Sequence, residues 1–250
     1  TLGYEVEAVE TTGNVLAVTL KPESKPLRYR AGQFAFVSFE GAEPHPFTIS
    51  KGPSDDGRVR MSIARLGDFT TQLHRNLKTG ASVRLEGPYG HFERRSKGGD
   101  NKELWIGAGV GITPFLAWAH ALKDTDDPVH LVCCVKSEAA AAHLDELKAF
   151  AAEKANLTLH IHSSATDGRA TADGILESTG LSTDGLTVAF CGPKAMRQSL
   201  KDDFAKNGIT GRKFKYEEFE IRTGIGLKKI ANVLMQRVSL PDQVKSQLNR

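Results

Sequence analysis

The residues best suited to chemistry are Gly107-Ala108-Gly109-Val110-Gly111-Ile112-Thr113-Pro114. They follow an apolar run, Leu104–Ile106, and open a predicted helix, Pro114–Leu122. Glycines at 107, 109 and 111 let backbone approach a phosphate closely. A helix N-terminus adds unpaired N–H groups and the positive end of a dipole. Thr113 is the expected N-cap, and Pro114 suits the first helical turn. A tight strand–helix turn in an unrelated α/β protein has the same glycines, so context must decide. The run departs from G-x-G-x-x-G, because a proline stands where the third glycine belongs.

The next predicted strand, Val129–Val135, is followed by Lys136 and Ser137 rather than by an acid that would bind a ribose 2′-hydroxyl. Lys136, Ser137 and the later Arg169 are either contacts to a 2′-phosphate or solvated surface. Glu138 argues against the first reading.

Four further motifs accompany the glycine-rich turn. They are His45-Pro46-Phe47-Thr48-Ile49-Ser50, Gly67-Asp68-Phe69-Thr70, Gly87-Pro88-Tyr89-Gly90 and Cys191-Gly192-Pro193. Read bare, the first is a strand that begins at a proline and has Phe47 in the core. Cys191 ends an apolar strand, at the edge where ligands bind in open α/β sheets. An isolated cysteine there is ordinarily a small buried residue.

The elements that must position these residues differ between the two halves. Up to about Phe92, short β-rich runs alternate with Gly/Pro turns: Val15–Leu20, Gln33–Phe39, Phe47–Ser50, Val59–Ala64 and Ser82–Leu85. A helix near Thr70–Leu77 interrupts them. The pattern predicts an antiparallel sheet or small barrel. The polar, glycine-rich stretch 94–101 reads as a linker. Beyond it, strands Leu104–Ile106, Val129–Val135, Leu157–His162 and Leu186–Cys191 alternate with helices Pro114–Leu122, Ala139–Lys154 and Lys194–Asn207. That alternation predicts a doubly wound parallel sheet. The expected division is 1–98, 99–226 and a basic amphipathic tail, 227–250, with Leu227, Ile230, Ala231, Leu234 and Val238 at helical spacing.

In order, these motifs resemble the ferredoxin–NADP reductase superfamily, over about residues 4–226. Within it they look most like the dehydrogenase domain of ferric reductases and NADPH oxidases, the branch that typically has H-P-F-T. The resemblance implies an FAD-binding β-barrel followed by an NADPH- or NADH-binding α/β domain. It implies an oxidoreductase that takes a hydride onto FAD and passes electrons on singly. His45, Pro46, Phe47 and Thr48 would lie along FAD, with Phe47 on the flavin or its ribityl chain and Thr48 near N5. Arg65 and Gly67, Asp68, Phe69 and Thr70 would meet the pyrophosphate. Cys191, Gly192 and Pro193 would shape the nicotinamide pocket. Phe219, in Tyr216–Arg222, would stack on the isoalloxazine and yield to nicotinamide. The implied acceptor is haem in a membrane portion, at the cytoplasmic face of the membrane. The alternatives are a soluble reductase for ferredoxin, flavodoxin or ferric chelates, and a flavin-binding interaction module with little turnover.

Composition narrows the rest. The 250 residues are 40% hydrophobic and 25% charged, a globular balance. A net charge of +3 gives no argument for nucleic acid. No apolar run approaches the ~20 residues that span a bilayer, and no signal peptide is expected. Adjacent Cys133 and Cys134 should face opposite ways on a strand. Three cysteines without C-x-x-C leave no iron–sulfur site and point to a reducing compartment. No metal site is expected at His160 and His162, which share a strand face without a third ligand.

Overall fold

A computed structural model describes residues 1–94 and 102–217. Phe219, the tail 227–250 and most of the expected linker lie outside the described residues. Two sheets build the molecule. The first has the strand order β4-β3-β6-β1-β2-β5, with β1 at Leu2–Thr12, β2 at Val15–Pro22, β3 at Phe34–Phe39, β4 at His45–Thr48, β5 at Val59–Ala64 and β6 at Ser82–Tyr89. Every described pairing in it is antiparallel. The sheet curls until the chain just past β4 meets β5, through an antiparallel bridge between Ile49 and Met61. Alternation along the strands turns Val6, Val18, Val37, Phe47, Met61 and Leu85 into one core. A helix, α1 (Asp68–Asn76), connects β5 to β6 and packs Leu73 against that core.

The second sheet is parallel, in the order β11-β10-β7-β8-β9. Its strands are β7 (Lys102–Ala108), β8 (Val129–Val135), β9 (Leu157–Ser163), β10 (Leu186–Cys191) and β11 (Phe214–Glu217). Helices α2 (Thr113–Ala121) and α3 (Leu144–Glu153) cover one face. On the other lie α4 (Ala172–Thr179) and α5 (Lys194–Lys206). Cys133 and Cys134 point to opposite faces, one into each core. A strand buried on both sides needs apolar residues at nearly every position, which β8 has.

Helix α2 is buried from Thr113 to Ala119. Such a helix needs cover on all sides. The second sheet supplies one side and the first lobe another: Trp118 Nε1 donates to the Ala31 carbonyl at 3.2 Å, and the backbone of α2 lies against Gly52.

Three local expectations are corrected, and one helix is added. The helix expected over Ala139–Lys154 begins only at Leu144: Glu138–Ala140 is a 3-10 turn ended by extended Ala141, and His143 takes a left-handed conformation, φ 61°. Thr113 does not cap α2. A 3-10 turn, Gly109–Ile112, runs straight into the helix, so Thr113 is its first residue and Ile112 its cap. Arg94 is not a linker residue: it makes two hydrogen bonds to the Glu103 carboxylate, at 2.9 and 3.1 Å, and pairs with Asp126 at 2.8 Å. Helix α4 was not anticipated, although Thr171 caps its start and Gly180 ends it in the left-handed region.

Candidate functional site

In the second sheet, β7 is flanked by β8 on one side and β10 on the other. The chain order reverses between β7 and β10, which opens a crevice at their carboxyl ends. The glycine-rich turn leaves β7 there, and Cys191-Gly192-Pro193 leaves β10 beside it. In register, Cys191 pairs with Gly107. Gly111 packs directly on the Cys191–Gly192 peptide, so that a Cβ at Gly111 would collide with the Cys191 carbonyl oxygen. A Cβ at Gly192 would lie 2.8 Å from that of Ala108. Gly109 contrasts with both. It is left-handed, φ +57°, and a Cβ there meets nothing within 4 Å.

Cys191 is 2% exposed. Burial, reinforced by Glu217, pushes its thiol up to about 12. It is therefore a buried neutral thiol and no thiolate nucleophile. Lys136 and Ser137 follow β8, and Arg169 sits in the loop that follows β9, so all three stand at the same carboxyl edge. Glu138 is held by Lys148 at 3.3 Å.

A second helix start faces outward in the first lobe. Gly67 is the N-cap of α1, with extended backbone at φ −168° and nothing within 4 Å of a would-be Cβ. The Thr70 hydroxyl ties this turn together, accepting from the Leu66 and Gly67 amides at 2.9 and 3.1 Å and donating to the Gly67 carbonyl. Arg65 lies just ahead of it. His74 Nε2 sits 2.8 Å from the Ile63 carbonyl, so it carries the proton. That leaves Nδ1 to accept from Arg65 at 3.5 Å. An open glycine, free helix N–H groups and a steered guanidinium suit a dianionic pyrophosphate.

His45 and Phe69, from two different motifs, stack with ring centroids 3.8 Å apart. Burial depresses the His45 pKa. Phe47 lies in the barrel-like core, 4% exposed. Alternation turns Pro46 and Thr48 to the other face of β4, opposite Phe36 and Phe34 of β3. There Phe34, Phe36 and Tyr89 form an aromatic cluster, with centroids 5.6–6.0 Å apart. The sequence reading had not singled it out; its signal was the alternation of Phe34 and Phe36 against small Ala35. His160 Nε2 is spent on His130 Nδ1 at 2.9 Å, and His162 lies 3.0 Å from the Gly168 carbonyl. Among the described residues no helix is long and apolar enough to cross a membrane.

Comparison with known proteins fits this geometry. An FAD-binding domain family matches residues 3–93, and an oxidoreductase NAD-binding domain family matches residues 105–202. The chain belongs to the ferredoxin–NADP reductase superfamily. Its first lobe is an FAD-binding domain and its second a nicotinamide nucleotide-binding domain. Among relatives of this chain is the ferredoxin–NAD(P)+ reductase component of naphthalene 1,2-dioxygenase/salicylate 5-hydroxylase systems of a Ralstonia species. It is 29% identical over 80% of this chain and 63% of the relative. The carnitine monooxygenase reductase subunit of Escherichia coli is 30% identical over 82% of this chain and 63% of its own. The chain thus spans less than two thirds of both. The FAD/NAD-binding domain of Vibrio cholerae nitric oxide dioxygenase shares the fold, with a TM-score of 0.76 and 23% identity over 87% of this chain and 98% of that one.

Proposed function

We propose that this chain is the reductase module of an electron-transfer system. It takes a hydride from NADPH, or from NADH, and hands electrons one at a time to a separate protein acceptor. The observation that carries the reading is the pair of phosphate-suited turns, one per lobe, with Cys191 packed under the glycine-rich turn at the switch point. Bound FAD supplies the exchange between two-electron and one-electron transfer. The protein's own part is binding, orientation and exclusion of water.

Residue roles follow. Arg65 and Gly67–Thr70 hold the FAD pyrophosphate, while His45, Pro46, Phe47 and Thr48 form the strand along the flavin. Gly107, Gly109, Gly111, Thr113 and Pro114 form the turn that receives the nicotinamide nucleotide's pyrophosphate. Lys136, Ser137 and Arg169 meet a 2′-phosphate, which favours NADPH. Cys191, Gly192 and Pro193 wall the nicotinamide pocket, and Phe219 shields the flavin until nicotinamide displaces it. The domain boundaries are 1–98 and 99–226.

The acceptor we favour is an oxygenase component or a small ferredoxin-type carrier, since two relatives are themselves reductase parts of oxygenase systems. A second reading rests on His45-Pro46-Phe47-Thr48, the form found in ferric reductases and NADPH oxidases. There the acceptor is membrane-bound haem, and the basic tail 227–250 docks at the bilayer. The test is anaerobic titration of the FAD-loaded protein with NADPH. Bleaching of the flavin band, followed by reoxidation with a ferredoxin or cytochrome c, is the expected result. A flavin that binds yet never bleaches with either nucleotide overturns the reading in favour of a binding module. Removing 227–250 separates the acceptors: loss of binding to anionic vesicles, with NADPH oxidation retained, selects the membrane reading.

A further inference from the structure

Five side chains form a closed hydrogen-bonded ring between the lobes. Arg60 Nη2 reaches Glu146 Oε1 at 2.9 Å. Glu146 Oε2 lies 3.2 Å from His143 Nδ1, and His143 Nε2 lies 2.8 Å from Ser62 Oγ. Ser62 Oγ meets Ser50 Oγ at 2.8 Å, and Arg60 Nε closes the circuit on Ser50 Oγ at 3.2 Å. Ser50, Arg60 and Ser62 belong to the first lobe; His143 and Glu146 belong to the second. Serine, histidine and glutamate here share the spacing of a nucleophile relay. Ser62 is 5% exposed and its hydroxyl is already engaged, so no acyl substrate reaches it.

The ring leaves none of its side-chain polar atoms idle: Ser50 Oγ donates to the Arg60 carbonyl and accepts from Arg60 Nε and Ser62 Oγ, while both His143 ring nitrogens and both Glu146 oxygens are engaged. His143 sits in the left-handed region without capping its own helix; its ring instead joins Glu146 of that helix to Ser62 of the first lobe.

We propose that this ring positions the two lobes for hydride transfer. The proposal rests on the reductase reading for its catalytic consequence. Ser50 ends the His45–Ser50 strand segment of the flavin lobe, and His143 ends the segment that leaves the nucleotide edge at Lys136. The ring therefore ties one cofactor's strand to the other's loop. The charged and titratable groups around it are Arg60, Glu146 and His120, and His120 also feels Lys51 and Lys154.

The test begins with amide hydrogen exchange on the unloaded chain, corrected for intrinsic rates, at residues 60–63 and 138–146. His143→Gln and Ser62→Ala should raise exchange there about tenfold, the upper end for a lost hydrogen bond. His120→Gln, outside the ring, should leave exchange there unchanged. On the FAD-loaded protein, His143→Gln should slow single-turnover hydride transfer from 4-deuterated NADPH about tenfold while nucleotide Kd is unchanged. A His143→Gln exchange profile identical to the wild type overturns the ring as a latch. A lowered Tm with unchanged hydride transfer overturns its positioning role. Failure of the wild type to reduce flavin at all sinks the reductase reading instead and leaves the exchange result standing.

Discussion

The two lobes present a helix start to a phosphate in opposite ways. At α1 the turn is open: Gly67 is extended, nothing crowds it, and Thr70 holds it from within the same turn. At α2 the turn is wedged: Gly111 rests on the Cys191–Gly192 peptide of another strand's loop, and the helix behind it is buried. The first geometry is local and needs few distant residues. The second exists only once β7 and β10 are paired. Glycine therefore does different work at each: Gly67 keeps space clear, whereas Gly111 permits contact.

Substitution should separate the two. Gly111→Ala forces the Cys191 loop away, an overpacking cost of about 2 kcal/mol. For a protein of this size that lowers Tm by roughly 4–8 °C, and nucleotide affinity should fall with it. A calorimetric Tm equal to the wild type would sink the wedge account. Arg65→Ala should leave the Tm of the unloaded protein alone and weaken FAD binding about tenfold or more, the value of a charge-assisted hydrogen bond. Fluorescence titration with FAD reads this, and an unchanged Kd removes Arg65 from the pyrophosphate site.

Acid should also tell the lobes apart. Burial depresses the pKa values of His45, His120, His130 and His160 below the ordinary 6.5. The unfolded chain then binds more protons than the folded one, so stability present above about 6.5 is lost as pH falls through that value. Three of these histidines sit in the nucleotide lobe, as do Trp105 and Trp118. Tryptophan fluorescence should report loosening there at mildly acidic pH, before the flavin lobe yields. Simultaneous loss of both lobes contradicts this. A smaller effect is expected at Arg169→Ala: KM should rise severalfold for NADPH and stay level for NADH. Equal rises would show that Arg169 does not read the 2′-phosphate. The smallest is Gly67→Ala, within about 0.5 kcal/mol in stability because its backbone suits any residue; a larger loss would mean that the turn is not open.

Much of this was legible in the sequence, for a physical reason. The boundaries of β5, β8 and β10 follow directly from apolar runs ended by glycine or polar turns, and Gly107–Pro114 announces itself by order: strand, glycines, helix. Where alanines suggested continuous helix, Ala139–Ala142, the run breaks at extended Ala141 and again at left-handed His143, whose side chain is engaged at the lobe boundary. The Thr113 cap failed because a 3-10 turn had already begun the helix. The ring was invisible because its members lie far apart in sequence and are individually ordinary; Ser62 and Arg60 read as strand residues until the second lobe arrives. Arg94 likewise looked like linker until Glu103 and Trp105 surrounded it.

Strand order has a consequence for synthesis. In the first sheet β6 joins β3 to β1, so the lobe is completed as Tyr89 emerges, before any of the second sheet exists. In the second, β7 is made first but lies between β8 and β10, and waits for Cys191 to gain its other neighbour. At about 5–20 residues per second, the ribosome releases a closed flavin lobe well ahead of a nucleotide lobe that still has an unpaired central edge. Nascent chains halted between β9 and β10 should therefore be the aggregation-prone ones.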